Sequence, residues 1–162
     1  MKKLLILFFL LFVTGRCAAQ DFITQWNMNK PGSALGQLSF GVVTSGPCSY
    51  TWESFPAGQN GSGTFNGTNC IIANLPTTGL IKLQIDTTNF KQLKMAFGPD
   101  TGRLYSVEKW GKVHWSNMDS MFAGCRNLSF LPTDTPDLSQ VSSMEAMFYL
   151  AFSDQGVYYP SS

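Results

Sequence analysis

Few side chains in this chain can do acid–base, nucleophilic or metal chemistry: one histidine, His114, four cysteines, Cys17, Cys48, Cys70 and Cys125, and two aspartates, Asp134 and Asp137, that flank Pro136. A lone histidine cannot assemble a histidine-based metal site without partners. His114 alternates with Val113 and Trp115 and reads as a surface or edge residue. Two nearby carboxylates are what glycoside hydrolysis needs, but Asp134 and Asp137 fall in a proline-bounded loop and read as structural or solvated. Cys125 would need an adjacent base to act as a nucleophile, which the sequence hardly offers, so it reads as a small core residue. Gly61-Ser62-Gly63, with Gly58 and Gly67 around it, has no helix signal behind it to hold a phosphate, and reads as a flexible hairpin tip. Stacking on sugar rings would use exposed aromatics, for which Trp26, Tyr50 and Trp52 are the candidates. Against this, buried aromatics supply most of a small domain's apolar area, and Trp52 reads as a core anchor. No catalytic, cofactor-binding or metal-binding residue is assigned, no cofactor is expected, and the chain reads as a non-enzyme.

The elements that must hold these residues begin with a repeat. Trp115-Ser-Asn-Met-Asp-Ser-Met-Phe122 recurs as Val141-Ser-Ser-Met-Glu-Ala-Met-Phe148, each matched position 26 residues on. Such a period is the mark of a solenoid, whose units bury their apolar faces on one another and present a surface rather than a cleft. Ser116 with Asp119, and Ser142 with Glu145, have capping-box spacing, which predicts a short helix in each copy. Met118, Met121 and Phe122, and then Met144, Met147 and Phe148, would each form one apolar stripe and stack as core. Asn127-Leu-Ser-Phe-Leu131 is short enough for a strand, and Pro132 and Pro136 end it. One unit therefore reads as helix, strand, loop.

The pattern Ser-x-Met-x-x-Met-Phe-x-x-Cys-x-Asn-Leu over 116–128, then Pro136-Asp-Leu-Ser-x-Val141 and the next Met-x-x-Met-Phe, closely resembles the BspA-like leucine-rich-repeat surface proteins of bacteria. The resemblance covers residues 113 to 148. It implies an exported or surface-attached protein that adheres to host or matrix proteins, with Met118, Met121, Phe122, Cys125, Leu128, Met144, Met147 and Phe148 in the repeat core. The second copy departs from the pattern, reading Tyr149-Leu-Ala-Phe-Ser-Asp154 where the first has Ala123-Gly-Cys-Arg-Asn-Leu128. About one and a half repeats are fewer than the three or so that a solenoid needs, so a truncated product with a disordered tail over 151–162 is expected. A degenerate cap lidded by Tyr158 and Tyr159 is the alternative.

At the other end, Lys2 and Lys3 precede the apolar run Leu4 to Val13, and small residues to Gln20 supply a cleavage site, so residues 1–20 read as a secretory signal peptide. The run is too short to span a bilayer, which takes roughly 20 residues as a helix, and no membrane span is expected. A lipid tether at Cys17 fits badly with Arg16 before it. Losing Lys2, Lys3 and Arg16 takes the 11 basic residues below the 10 acidic ones, and no basic patch suggests nucleic acid. In an oxidising compartment a Cys48–Cys70 bridge is plausible, with Cys125 left reduced.

Residues 21–111 form the remaining domain. Ile81-Lys-Leu-Gln-Ile-Asp86 alternates strictly, Leu93-Lys-Met-Ala-Phe97 does so again, and further strands are expected at 38–43, 49–55, 63–65, 70–75 and 104–110. Several short strands between Gly, Pro and Asn read as a sandwich. Tyr50-Thr-Trp52 followed by Leu75-Pro-Thr-Thr-Gly79 and the Ile81 strand resembles immunoglobulin-like or PKD-like modules. The expected fold is mainly β with short helices, an immunoglobulin/PKD-like β-sandwich over 21–111 and leucine-rich repeats over 112–150, with Trp110 and Trp115 sealing the junction. The expected function is adhesion or binding to an extracellular protein at the bacterial surface. The alternative is a carbohydrate-binding accessory module of a larger extracellular protein, with a glycan as partner.

Overall fold

The computed structural model describes residues 20–155. All but the last residue of the expected leader, and residues 156–162 of the expected tail, lie outside that range. The described chain is mainly β, with nine strands: β1 Phe22–Asn27, β2 Leu38–Thr44, β3 Cys48–Phe55, β4 Asn60–Phe65, β5 Asn69–Ile72, β6 Leu80–Ile85, β7 Phe90–Lys94, β8 Leu104–Lys109 and β9 Ser129–Phe130. They form a six-stranded sheet in the order β4-β3-β6-β1-β8-β9 and a three-stranded sheet in the order β5-β2-β7. This is a β-sandwich, and its interior follows from the alternation in sequence. Ile81, Leu83 and Ile85 of β6 are buried while Lys82 and Gln84 are not, and Leu38, Phe40 and Val42 of β2 do the same from the facing sheet.

β1 was not among the expected strands. It lies between β6 and β8, with Phe22, Ile23, Thr24 and Trp26 all buried, so it carries none of the exposed polar alternation that marks a half-buried strand. The segment between β1 and β2 is held by a buried ion pair. Asp100 accepts hydrogen bonds from the backbone N–H groups of Ser33 (2.9 Å) and Ser39 (2.6 Å) and from Arg103 (3.0 Å), while Arg103 also donates to the carbonyls of Lys30 and Gln37. A side chain at Gly32 would place its Cβ 2.0 Å from the Asp100 carboxylate, which is why glycine stands there.

The boundary expected near residue 111 is crossed by one continuous apolar core, running from Phe22 to Met147. β8 pairs antiparallel with β1 on one side and parallel with β9 on the other, with Ser106 opposite Ser129 and Val107 opposite Phe130. On the opposite sheet the chain leaving β7 bonds to the first repeat copy, through Met95 N–H to Met121 O and Phe97 N–H to Ala123 O. Trp110 and Trp115 are both buried at this junction, 5.6 Å apart and edge to face, against Phe22.

The short helices expected over 116–122 and 142–148 are not formed. Both segments are chains of tight turns, closed by Met121 N–H to Met118 O and Ala123 N–H to Ser120 O in the first, and by Met147 N–H to Met144 O and Tyr149 N–H to Ala146 O in the second. The one helical element among the described residues is a 3₁₀ turn at Ser153–Gln155, inside the stretch expected to be disordered, where Ala151 is buried. Two physical causes defeat the helix. Seven residues are too few for one to stand without strong support, and alternate backbone N–H groups are drawn sideways to the next copy. Ser120 (φ 51°) and Ala146 (φ 52°), one period apart, take left-handed backbone to turn those groups outward.

The left-handed residue fixes the sign of a test. Ser120→Gly is expected to raise the unfolding free energy by roughly 0.5–1 kcal/mol, because the strain at positive φ exceeds the extra chain entropy of glycine. In a helix the same change would lower it by about 0.5 kcal/mol or more. Chemical denaturation of the two proteins decides between them.

Candidate functional site

The two repeat copies lie side by side, joined by a backbone ladder at a constant step. The N–H groups of Met118, Ser120, Phe122 and Gly124 donate to the carbonyls of Ser143, Glu145, Met147 and Tyr149, all within 2.9 Å, and Ser142 N–H returns to Ser116 O. Side chains join the two copies as well. Phe122 and Phe148 stack with ring centres 5.5 Å apart at 15°, and Phe130 meets Phe148 edge to face at 5.6 Å.

Of the expected repeat core, Met118, Met121, Phe122, Cys125, Leu128 and Met147 are buried. Met144 and Phe148 are not, being 48% and 39% exposed. They occupy the positions of Met118 and Phe122 one period later, but no described segment lies over them as the second copy lies over the first. Tyr149 and Leu150 are exposed beside them, and with Phe148 and Ser153 they line a hollow of about 330 Å³. This surface was missed in the sequence reading. Its signal was the change from Ala123-Gly124 to Tyr149-Leu150, bulky apolar residues where the first copy keeps small ones.

A second exposed aromatic feature lies along the side of the two copies. Phe97, 59% exposed, meets Tyr149, 58% exposed, edge to face at 6.0 Å. Gly124, at φ 81°, lies under the Phe97 ring, and a Cβ there would sit 2.7 Å from it. Glycine thus serves twice, for its backbone conformation and for the close approach of the ring.

The acid of the first expected capping box, Asp119, has another task. Asp119 reaches forward to the second copy, accepting hydrogen bonds from the Ser143 hydroxyl and from Glu145 N–H (2.8 Å), and also from the Asn117 side-chain amide (2.8 Å). Asn117 in turn accepts from Gln92 of β7 (3.0 Å), so a polar ladder Gln92–Asn117–Asp119–Ser143 runs along the stack. These bonds, that from Ser143 first, hold the Asp119 carboxyl below the usual range of an aspartate despite partial burial.

The residues singled out for chemistry are dispersed. Both oxygens of Asp134 are taken by the backbone, from Trp110 N–H (2.7 Å) and Gly111 N–H (2.9 Å), so it closes a corner of the chain. Asp137 accepts from Ser139 N–H (3.0 Å), which lowers its pKa, with the nearby His114 adding to the effect. His114 is exposed, beside a groove that Asp137 also lines. Among the described residues no group of three or more His, Cys, Asp and Glu side chains is placed to hold a metal ion, and no helix is long and apolar enough to cross a membrane.

Cys48 and Cys70 are free thiols here, so the bridge expected between them is not formed. They lie in β3 and β5, strands of opposite sheets, and the Cys48 thiol points to the carbonyl of Gly46 (3.7 Å). Burial pushes the Cys48 thiol up to about 11 and that of Cys70, which also has Cys48 beside it, up to about 12. Burial alone raises that of Cys125 further.

The three candidate platform aromatics pack with the core. Trp26 is fully buried, stacked on Phe40 at 5.0 Å, with its indole N–H given to Thr24 Oγ1. Tyr50 and Trp52 are half-buried against the core, and Gly61-Ser62-Gly63 is part of strand β4 rather than a hairpin tip. A Cβ at Gly61 would lie 2.8 Å from the Trp52 indole, and one at Gly63 2.4 Å from the Tyr50 hydroxyl, so the glycines are the floor on which these rings lie. Comparison with family models, curated proteins and solved structures finds no match to this chain.

Two measurements follow from these groups. The lowered Asp119 pKa contributes stability in full above its unfolded value near 3.8, and loses it as pH falls through the lower folded value. Asp119→Ala should therefore lower the melting temperature at pH 7 and narrow the gap to wild type below about pH 3. The buried thiols should resist iodoacetamide at pH 8 in the folded protein, yet Cys48, Cys70 and Cys125 should all be alkylated in denaturant without reductant. A persistent Cys48–Cys70 pair in that second arm would contradict the free-thiol assignment.

Proposed function

We propose that the chain is an exported, non-enzymatic adhesion or protein-binding protein of the bacterial surface, in which an immunoglobulin/PKD-like sandwich caps the start of a BspA-like leucine-rich-repeat solenoid. The observation that carries this reading is the exposed Phe97–Tyr149 pair, fixed across three successive levels of the stack by Gly124 beneath it. Exposed aromatics cost solubility and are the anchors that protein interfaces most often use. Their rigidity favours binding, since little side-chain entropy remains to be lost on contact. The leader-like residues 1–20 support export, and the ladder of step-repeated hydrogen bonds supports the solenoid assignment. The carbohydrate-binding alternative is weakened by the burial of Trp26 and by the packing of Tyr50 and Trp52 on glycines.

Binding of the immobilised protein to a panel of extracellular matrix proteins, set beside a glycan array, tests the assignment. Saturable protein binding that falls at least about tenfold in Phe97→Ser/Tyr149→Ser, with the melting temperature unchanged, is the expected result. Glycan binding abolished by Trp52→Ala would replace it with the carbohydrate reading.

A further inference from the structure

Two asparagines in the chain precede glycine, Asn60 before Gly61 and Asn66 before Gly67. Such a pair can modify itself, because no side chain on the glycine hinders attack of its backbone nitrogen on the asparagine side-chain amide. The fold treats the two sites in opposite ways. Asn60 and Gly61 lie in β4, where Gly61 stands opposite Trp52 of β3. Ser54 N–H on Gln59 O sets the phase of that ladder, and bonds recur at every second pair, so the Gly61 N–H is tied to Trp52. A Cβ on Gly61 would lie 2.8 Å from the Trp52 indole, so the ring rests against this glycine as well.

Asn66 and Gly67 stand outside the strands, in the turn from β4 to β5, and both are exposed. Gly67 takes φ 96°, and among the described residues no atom comes within 4 Å of the place a Cβ would occupy. Its N–H donates to Asn66 Oδ1 (2.9 Å) and to Thr44 Oγ1 (3.1 Å), which holds the side-chain amide carbon of Asn66 beside the nitrogen that attacks it. The Thr44 hydroxyl donates to the same Asn66 Oδ1 at 3.1 Å, a shorter contact than its other one, to Gly67 O at 3.3 Å. When nitrogen adds to the amide carbon, negative charge develops on that oxygen. A donor already faces it.

We propose that Asn66 is a self-modification site, at which the Gly67 nitrogen cyclises on the Asn66 side chain while the Thr44 hydroxyl donates to the reacting oxygen. Hydroxide takes the Gly67 amide proton, the bond from Gly67 N to Asn66 Cγ forms, the Cγ–Nδ2 bond breaks, and ammonia leaves with a proton from water, which regenerates the hydroxide. Water then opens the cyclic imide at either carbonyl, giving aspartate or isoaspartate. One water is consumed and one ammonia released. Each event puts a carboxylate in place of a neutral amide on an exposed turn, and the isoaspartyl product lengthens the backbone between β4 of the six-stranded sheet and β5 of the three-stranded one. The inference does not rest on the adhesion reading, and either can fail without the other.

The purified full chain, incubated at pH 8 and digested at intervals, is read by mass spectrometry that resolves aspartyl from isoaspartyl peptides. In the folded protein Asn66 should convert at least about fivefold faster than Asn60, and in denaturant that ratio should collapse, because positioning by the fold is what separates the two sites. Both isoaspartate and aspartate should appear at Asn66. Thr44→Val, which keeps the shape of the side chain and removes the donor, should slow conversion of Asn66 in the folded protein at least about threefold while leaving the denatured rate unchanged. The comparison of Asn66 with Asn60 in the unmodified sequence decides whatever the stability of that variant. A smaller ratio in the folded protein, a ratio that persists in denaturant, aspartate without isoaspartate, or a smaller slowing in folded Thr44→Val would each overturn the proposal.

Discussion

The structure turns on β8, a strand that serves two kinds of pairing at once. Along one edge it closes the sandwich by antiparallel bonds to β1, and along the other it starts a parallel arrangement with β9. Since each residue of a strand offers its N–H and C=O to one side only, alternate residues of β8 are committed to different partners. That commitment places Trp110 just beyond the strand, where it meets Trp115, Phe122 and Phe130. The sandwich core and the repeat core are consequently one body of side chains. The exit of β7 does the same for the other sheet, through Met95 and Phe97.

The first copy of a repeat needs one side covered, and here the ends of β7 and β8 cover it. The second copy is covered by the first. Backbone bonds at a step of 25 residues, aromatic stacking of Phe122 on Phe148 and the polar ladder through Asn117 and Asp119 all advance in the same direction. Three independent interactions, each joining the first copy to the second, leave little freedom for the copies to slip, because a shift that kept one set would break the other two.

The second copy carries both local backbone strain and exposed apolar surface. Leu150 takes positive φ (55°) where the first copy has Gly124. A non-glycine residue in that conformation is uncommon and is tolerated where the surroundings hold it. Its neighbours Tyr149 and Phe148 are exposed as well. The acidic side chains, by contrast, are absorbed by architecture: Asp100, Asp119 and Asp134 each satisfy backbone or hydroxyl donors from distant segments.

Periodicity along the chain was enough to reveal most strands, the 26-residue repeat and six of the eight repeat-core side chains, since alternation and recurrence are properties of local order and of burial on one face. β1 escaped because a strand buried on both faces loses its alternation. The conformation of the Met-x-x-Met-Phe segments was equally hidden: two methionines and a phenylalanine at i, i+3 and i+4 suit a helix and a tight-turn run alike, and the choice is made by neighbouring carbonyls in the next copy that draw off alternate N–H groups. The same remoteness explains Asp119, whose partners stand 24 and 26 residues on, and Met144 and Phe148, whose exposure depends on what lies above them. Composition and spacing say which groups seek partners; which partners they find is a matter of segments brought together only when the chain has folded.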